Sequence, residues 1–141
     1  MADAARLDAL RRSVQIAYVL QGFAVLSGAL GSGTIAGQFL FAIPALVALV
    51  IGLALREPAK GSWLASHVRW QLRSAWLAAA WTVALFLVSA PLTLLVIGVF
   101  LPGPGLALIG LWVSYRVLRG LFELHARQPM PVPLPVPEQV A

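Results

Sequence analysis

Apolar and polar positions are separated along this chain on the scale of whole helices. Four predominantly apolar runs cover residues 14–30, 38–55, 75–100 and 106–118, and the charges crowd into the segments between and around them. A run of about 20 apolar residues at 1.5 Å per residue crosses the ~30 Å hydrocarbon core of a bilayer. The pattern therefore predicts an all-α, polytopic membrane protein with four transmembrane helices. The first run is at the short end. The third is longer than a straight crossing needs, which predicts tilt or a kink near Pro91. Pro44 lies one turn inside the second, where neighbouring helices can satisfy the freed carbonyl. Residues 31–37 are Gly-rich and uncharged, and residues 101–105 read Leu-Pro-Gly-Pro-Gly, a hard stop and tight turn. The spans thus form two hairpins joined by a longer charged segment.

The flanks differ from this membrane domain of residues 14–126. Residues 1–13 predict a short amphipathic cytoplasmic helix, with Leu7 and Leu10 on one side. Residues 127–141 alternate Pro with apolar residues, which predicts extended polyproline-like chain. Such a tail lacks a packing face, so removing it from Pro129 onward is expected to leave folding intact.

The central segment holds the most chemistry. Pro58 ends the preceding helix, and Ser62 is a candidate N-cap for an interfacial helix that starts near Trp63 and continues into the third span. At 100° per residue, Trp63, His67, Trp70, Gln71 and Ser74 share a polar-aromatic side. Leu64, Val68 and Leu72 form an apolar side, and Arg69 and Arg73 a basic one. This division suits a helix at headgroup level.

Composition agrees with the pattern: 60% of the 141 residues are apolar and 11% charged. Charge then sets orientation. All ten Lys and Arg fall in residues 6–12, 56–73 and 116–127, and none in the two tiny turns. By the positive-inside rule both termini and the central segment are cytoplasmic. The basic residues flank apolar spans and form no separate soluble module, which argues against nucleic acid. The absence of Cys excludes disulfides, thiolate metal sites and Cys nucleophiles. The first run lacks a small-residue cleavage pattern and is expected to be a retained span.

Ten residues are candidate lipid or partner contacts: Trp63, His67, Arg69, Trp70, Gln71, Arg73, Ser74, Trp76, Arg116 and Arg119. His67, Gln71 and Ser74 lie one turn apart. They form either a small hydrogen-bonding site or, more commonly, a polar face that satisfies helix ends and water, so His67→Gln is expected to be close to neutral. Arg69, Arg73, Arg116 and Arg119 can bind phosphate through planar guanidinium forks, or hold the cytoplasmic side against anionic lipid generically, the commoner case. Arg116 can snorkel or pair with Glu123 or Glu57, and Arg119 and Glu123 have the spacing of a surface pair. Neither His has a carboxylate at ligand spacing, so no metal or cofactor is expected. No ionisable residue falls at mid-depth of a span, unlike coupled transporters. Ser-His-Asp catalysis lacks a credible Asp, so no enzyme is expected.

The residues Ser66-His67, Arg69-Trp70-Gln71, Arg73-Ser74 and Trp76 resemble a signature of small bacterial inner-membrane proteins of unknown function. These are grouped at a distance with the chloroplast inner-envelope protein-import component. Tyr18, Tyr115-Arg116, Arg119-Gly120 and Pro129-Met130 resemble further parts of that pattern. The chain departs from it at residues 125–128, where a small polar turn is expected. The resemblance implies a four-span helical fold in the bacterial cytoplasmic membrane and no established activity. Three functions compete: an accessory module packing with itself or a larger membrane complex, a passive translocation component, and a specific anionic-lipid-binding protein.

Overall fold

A computed structural model describes the backbone of residues 2–31 and 35–131 and the side chains of residues 3–28 and 42–131. The polyproline-like expectation for residues 132–141, and the loop tip at 32–34, lie outside the described residues. Five α-helices and one 3₁₀ turn account for most of what is described, and no strand occurs among the described residues.

Helix α1 spans Ala2–Gly31 without interruption. The amphipathic N-terminal segment and the first apolar run are therefore one helix. Nothing at their junction breaks it: Ser13 turns its hydroxyl back to the Ala9 carbonyl at 3.2 Å, the bond a helical Ser makes in place of a cap. Asp3 in the first turn faces the positive end of the helix dipole. Helix α2 spans Ile35–Ala54 and carries Pro44 inside it. Residues 35–37, expected in the turn, are helical.

Residues 55–63 fold as successive turns, closed by Ala59 N–H to the Leu55 carbonyl and Ser62 N–H to the Ala59 carbonyl at 3.0 and 3.1 Å. Gly61 has φ +78°, a conformation that costs a residue without Cβ little. Ser62 does not cap the next helix. Its hydroxyl donates backward to the Ala59 carbonyl at 2.7 Å, and α3 starts without a side-chain cap after Trp63.

Helix α3 spans Leu64–Leu92. The third apolar run is not one helix to residue 100. Pro91 removes a backbone donor, and the chain continues as a 3₁₀ turn, Thr93–Leu95, then Val96 at φ 65° and a single turn α4, Ile97–Phe100. Hydroxyls attend this end: Thr93 Oγ1 donates to the Ser89 carbonyl at 2.9 Å, and Ser89 Oγ to the Leu85 carbonyl at 2.7 Å. Here α4 folds back so closely that a Cβ on Gly98 would run into the backbone at Ser89, Leu92 and Thr93.

The Pro-Gly-Pro-Gly sequence is the first turn of α5, Pro102–His125, and not the turn itself. The first four N–H groups of a helix have no intrahelical partner, so Pro there sacrifices nothing. Helix α5 runs past residue 118. It ends in a Schellman turn: Gln128 N–H donates to the Glu123 carbonyl at 2.9 Å and Arg127 N–H to the Leu124 carbonyl at 3.3 Å. Arg127 holds the left-handed position, φ 55°, that Gly usually takes.

The core sits at one end of the bundle, where Val14 and Tyr18 of α1, Leu55 and Ala59, Leu64 and Val68 of α3, and Val117 and Leu124 of α5 close together. Along α1 the most extensive partner is α2, while α3 and α5 pair with each other and each touches α1. The segments Leu64–Leu95 and Ile97–His125 are long and apolar enough to cross a membrane. Only 6% of the most apolar part of each is buried. A core helix of a soluble protein would be mostly buried, so this apolar surface needs a non-aqueous neighbour. The described apolar part of α2, Ala42–Ala54, is shorter.

Candidate functional site

The polar-aromatic side of α3 faces inward. His67 is completely buried, and both ring nitrogens are engaged. Nε2 lies 2.8 Å from the Gln128 carbonyl, which can only accept, so Nε2 carries the proton and donates. Nδ1 lies 3.3 Å from the Tyr18 hydroxyl and accepts from it in the neutral ring. The rings of Tyr18 and Trp63 stand edge-on to the imidazole, with centroids 6.1 and 5.5 Å away. His67 thus joins α1, α3 and the C-terminal turn. It lies in the early, polar part of α3, ahead of the apolar stretch from residue 75. Burial pushes its pKa below the ordinary imidazole range, a shift opposed by the Gln128 carbonyl and the Glu123 carboxylate.

The neighbours continue this seam. Gln71 donates through Nε2 to the Val14 carbonyl of α1 at 3.2 Å. Ser66 donates to the Trp63 carbonyl at 2.7 Å and accepts from Met130 N–H at 3.0 Å. Met130 is 2% exposed, so the start of the tail is packed, contrary to the expectation of a tail without a packing face. Gly120 of α5 lies against Tyr18 so closely that a Cβ there would overlap the phenol ring.

Beside the seam is a second cluster. The Arg116 guanidinium stacks 3.6 Å from the centre of the Trp70 ring and 5.0 Å from that of Trp112. Its Nε donates to Ser74 Oγ at 2.6 Å, and Ser74 Oγ donates to the Trp70 carbonyl at 2.7 Å. Trp70 Nε1 donates to the Arg116 carbonyl at 3.3 Å. Arg116 Nη2 is shielded from water without a hydrogen-bond partner. The alternative of pairing Arg116 with Glu123 or Glu57 is not realised among the described residues. Nor is the Arg119–Glu123 pair: Arg119 donates to the Tyr115 hydroxyl at 3.2 Å. The ion pair seen among the described residues is Lys60–Glu57, at 2.8 Å and exposed.

Of the ten candidate residues, the structure brings His67, Gln71 and Ser74 into the interior as fold-holding groups. It stacks Trp63 and Trp70 half-buried beside them and leaves Arg69, Arg73 and Trp76 exposed. His67, Gln71 and Ser74 are therefore not an open ligand site. The partners that sequence reasoning missed are Tyr18, Val14, Gln128 and Met130. A signal existed for Tyr18: a phenol inside an apolar run needs a buried acceptor. For the backbone carbonyls no signal existed.

No family model matches the chain, and no curated protein and no solved structure is similar to it.

Proposed function

We propose that the chain is a four-span protein of the bacterial cytoplasmic membrane, with both termini and residues 55–74 in the cytoplasm, that acts without catalysis as an interaction or accessory module. One observation carries this reading. Tyr18, His67, the Gln71 amide N–H and Ser74 are bonded among α1, α3, α5 and the C-terminal turn, with Gln71 Oε1 and Arg116 Nη2 left without a partner, while Arg69, Arg73 and Trp76 of the same helix stay exposed. A helix locked on one side and presenting charge and an aromatic on the other is a docking surface. The basic residues gather at the end of the bundle that holds the core, which supports the orientation. The candidate span of 32 residues beginning at Leu64 is roughly 48 Å long, so its polar first turns fit outside the hydrocarbon.

Membership of the family suggested by the sequence belongs to the same proposal. Tyr18, Ser66, His67, Gln71, Ser74, Arg116, Gly120 and Met130, which carry that resemblance, are members of the seam or its stacked neighbour. The test is photo-crosslinking in native membranes from a reactive amino acid at Arg69, Trp76 or, as control, Leu64, which is fully buried. Discrete protein adducts from Arg69 and Trp76 but not Leu64 are expected. Adducts to lipid alone would reject the interaction-module reading.

A further inference from the structure

An apolar groove runs between α3 and α5 on the outside of the bundle. Trp81, Leu85 and Val88 line it on one side and Leu108, Ile109 and Trp112 on the other, with a volume of about 590 Å³. That is within the range of about 300–1,000 Å³ typical of small-molecule sites. At one end the helices come together: a Cβ on Gly105 would sit 2.6 Å from the Leu85 methyls. At the other end Trp112 separates the groove from the Arg116 guanidinium, one helical turn nearer the basic end. Arg119 approaches the same Trp70 ring, 5.9 Å from its centre, and Arg73 adds a further like charge near Arg116. Among the described residues Arg116 makes no ion pair, and its Nη2 has no acceptor. A shielded cation normally has a counter-charge, and among the described residues Arg116 meets the Trp70 and Trp112 faces and Ser74 Oγ, all uncharged.

We propose that this face binds one anionic glycerophospholipid, its acyl chain in the α3–α5 groove and its phosphate against Arg116, Arg73 and Arg119. The charge pattern commits the groove to this occupant, because Arg116, Arg73 and Arg119, none in an ion pair among the described residues, stand at one end of a trough with no charged residue in its lining. The polarity matches an amphiphile lying along the helices with its head at the basic end. The proposal rests on the membrane reading above and would identify a lipid as a partner of the same basic rim.

The experiment is native mass spectrometry of the delipidated full-length protein in mild detergent, titrated with phosphatidylglycerol or phosphatidylcholine. One phosphatidylglycerol is expected to bind more tightly than phosphatidylcholine. Arg116→Gln should weaken that binding about fivefold and remove the preference, since one basic contact near a lipid phosphate is worth about that factor. Ala84→Phe, which fills the groove wall without touching the arginines, should weaken both lipids. Arg119→Gln keeps the head-group test available if Arg116→Gln does not fold. Excess inorganic phosphate should not displace the lipid. A preference that survives both Arg substitutions overturns the proposal, as does unchanged binding in Ala84→Phe or full displacement by phosphate. Failure of the wild-type protein to float with liposomes would overturn the membrane reading itself. Flotation without a phosphatidylglycerol preference would overturn only the lipid site.

Discussion

The bond between Tyr18 and His67 should be measurable as a coupling free energy. Tyr18→Phe removes the hydroxyl and leaves the buried Nδ1 without a donor. His67→Gln keeps an amide N–H near the Gln128 carbonyl, but one amide cannot also reach Tyr18, so the phenol loses its acceptor. Each single substitution should cost about 1–2 kcal/mol, the net worth of a hydrogen bond plus part of the penalty of an unmatched buried group. The double substitution removes both partners together, so it should cost about 1 kcal/mol less than the sum. The assay is reversible unfolding of the purified protein in mixed micelles with increasing dodecyl sulfate. Additivity within about 0.3 kcal/mol, as for independent sites, would refute the bond. The same experiment carries a pH test. Burial depresses the His67 pKa in the folded state below its ordinary value of 6.5, so the unfolded chain takes up a proton first. Stability is full above pH 6.5 and falls as the pH drops from there toward the folded pKa. In His67→Gln that component of the acid slope should vanish.

Three more substitutions probe the same end of the fold. Gly120→Ala should destabilise by about 1–3 kcal/mol through overpacking against Tyr18, and Tyr18→Phe should not rescue it, because the ring carbons also collide; wild-type stability in the same unfolding titration would contradict this. Deleting residues 132–141 should leave stability unchanged, whereas deleting from Pro129 should lower it by about 1.5–3 kcal/mol through loss of the buried Met130 side chain; equal stability of the two truncations would show that Met130 does not anchor the tail. Arg127→Gly should stabilise by up to about 1 kcal/mol by relieving the left-handed backbone, seen as a shift of the unfolding midpoint, and a loss would mean that the turn is not the Schellman form.

Much of the helical layout is legible in the sequence because apolar runs of sufficient length impose it locally. That helices α2 and α5 exist follows from hydropathy, but their boundaries do not. Residues 102–105 look like a turn, yet Pro is as compatible with the first turn of a helix as with a loop, and only the break after Pro91 decides between them. Ser62 is a plausible cap by type, but its hydroxyl has two backbone targets and takes the one behind it. The seam was half-visible: the spacing of His67, Gln71 and Ser74 puts them on one face, and nothing local says whether that face meets water or α1. Two of their partners are the backbone carbonyls of Val14 and Gln128, groups every residue carries, so no side-chain pattern marks those. Arg116 was visible as a charge at the end of an apolar run, whereas its stacking on Trp70 depends on the pairing of α3 with α5.

The orientation of the bundle is the point on which the functional reading stands, and the absence of Cys makes it directly measurable. Single substitutions Ser32→Cys, Gly103→Cys, Lys60→Cys and Arg127→Cys can be probed with a membrane-impermeant maleimide on intact cells and again after permeabilisation. Labelling of Ser32→Cys and Gly103→Cys on intact cells, with Lys60→Cys and Arg127→Cys labelled only after permeabilisation, is the expected result. Labelling of Lys60→Cys from outside, or protection of Ser32→Cys in intact cells, would contradict a four-span protein with its basic end in the cytoplasm.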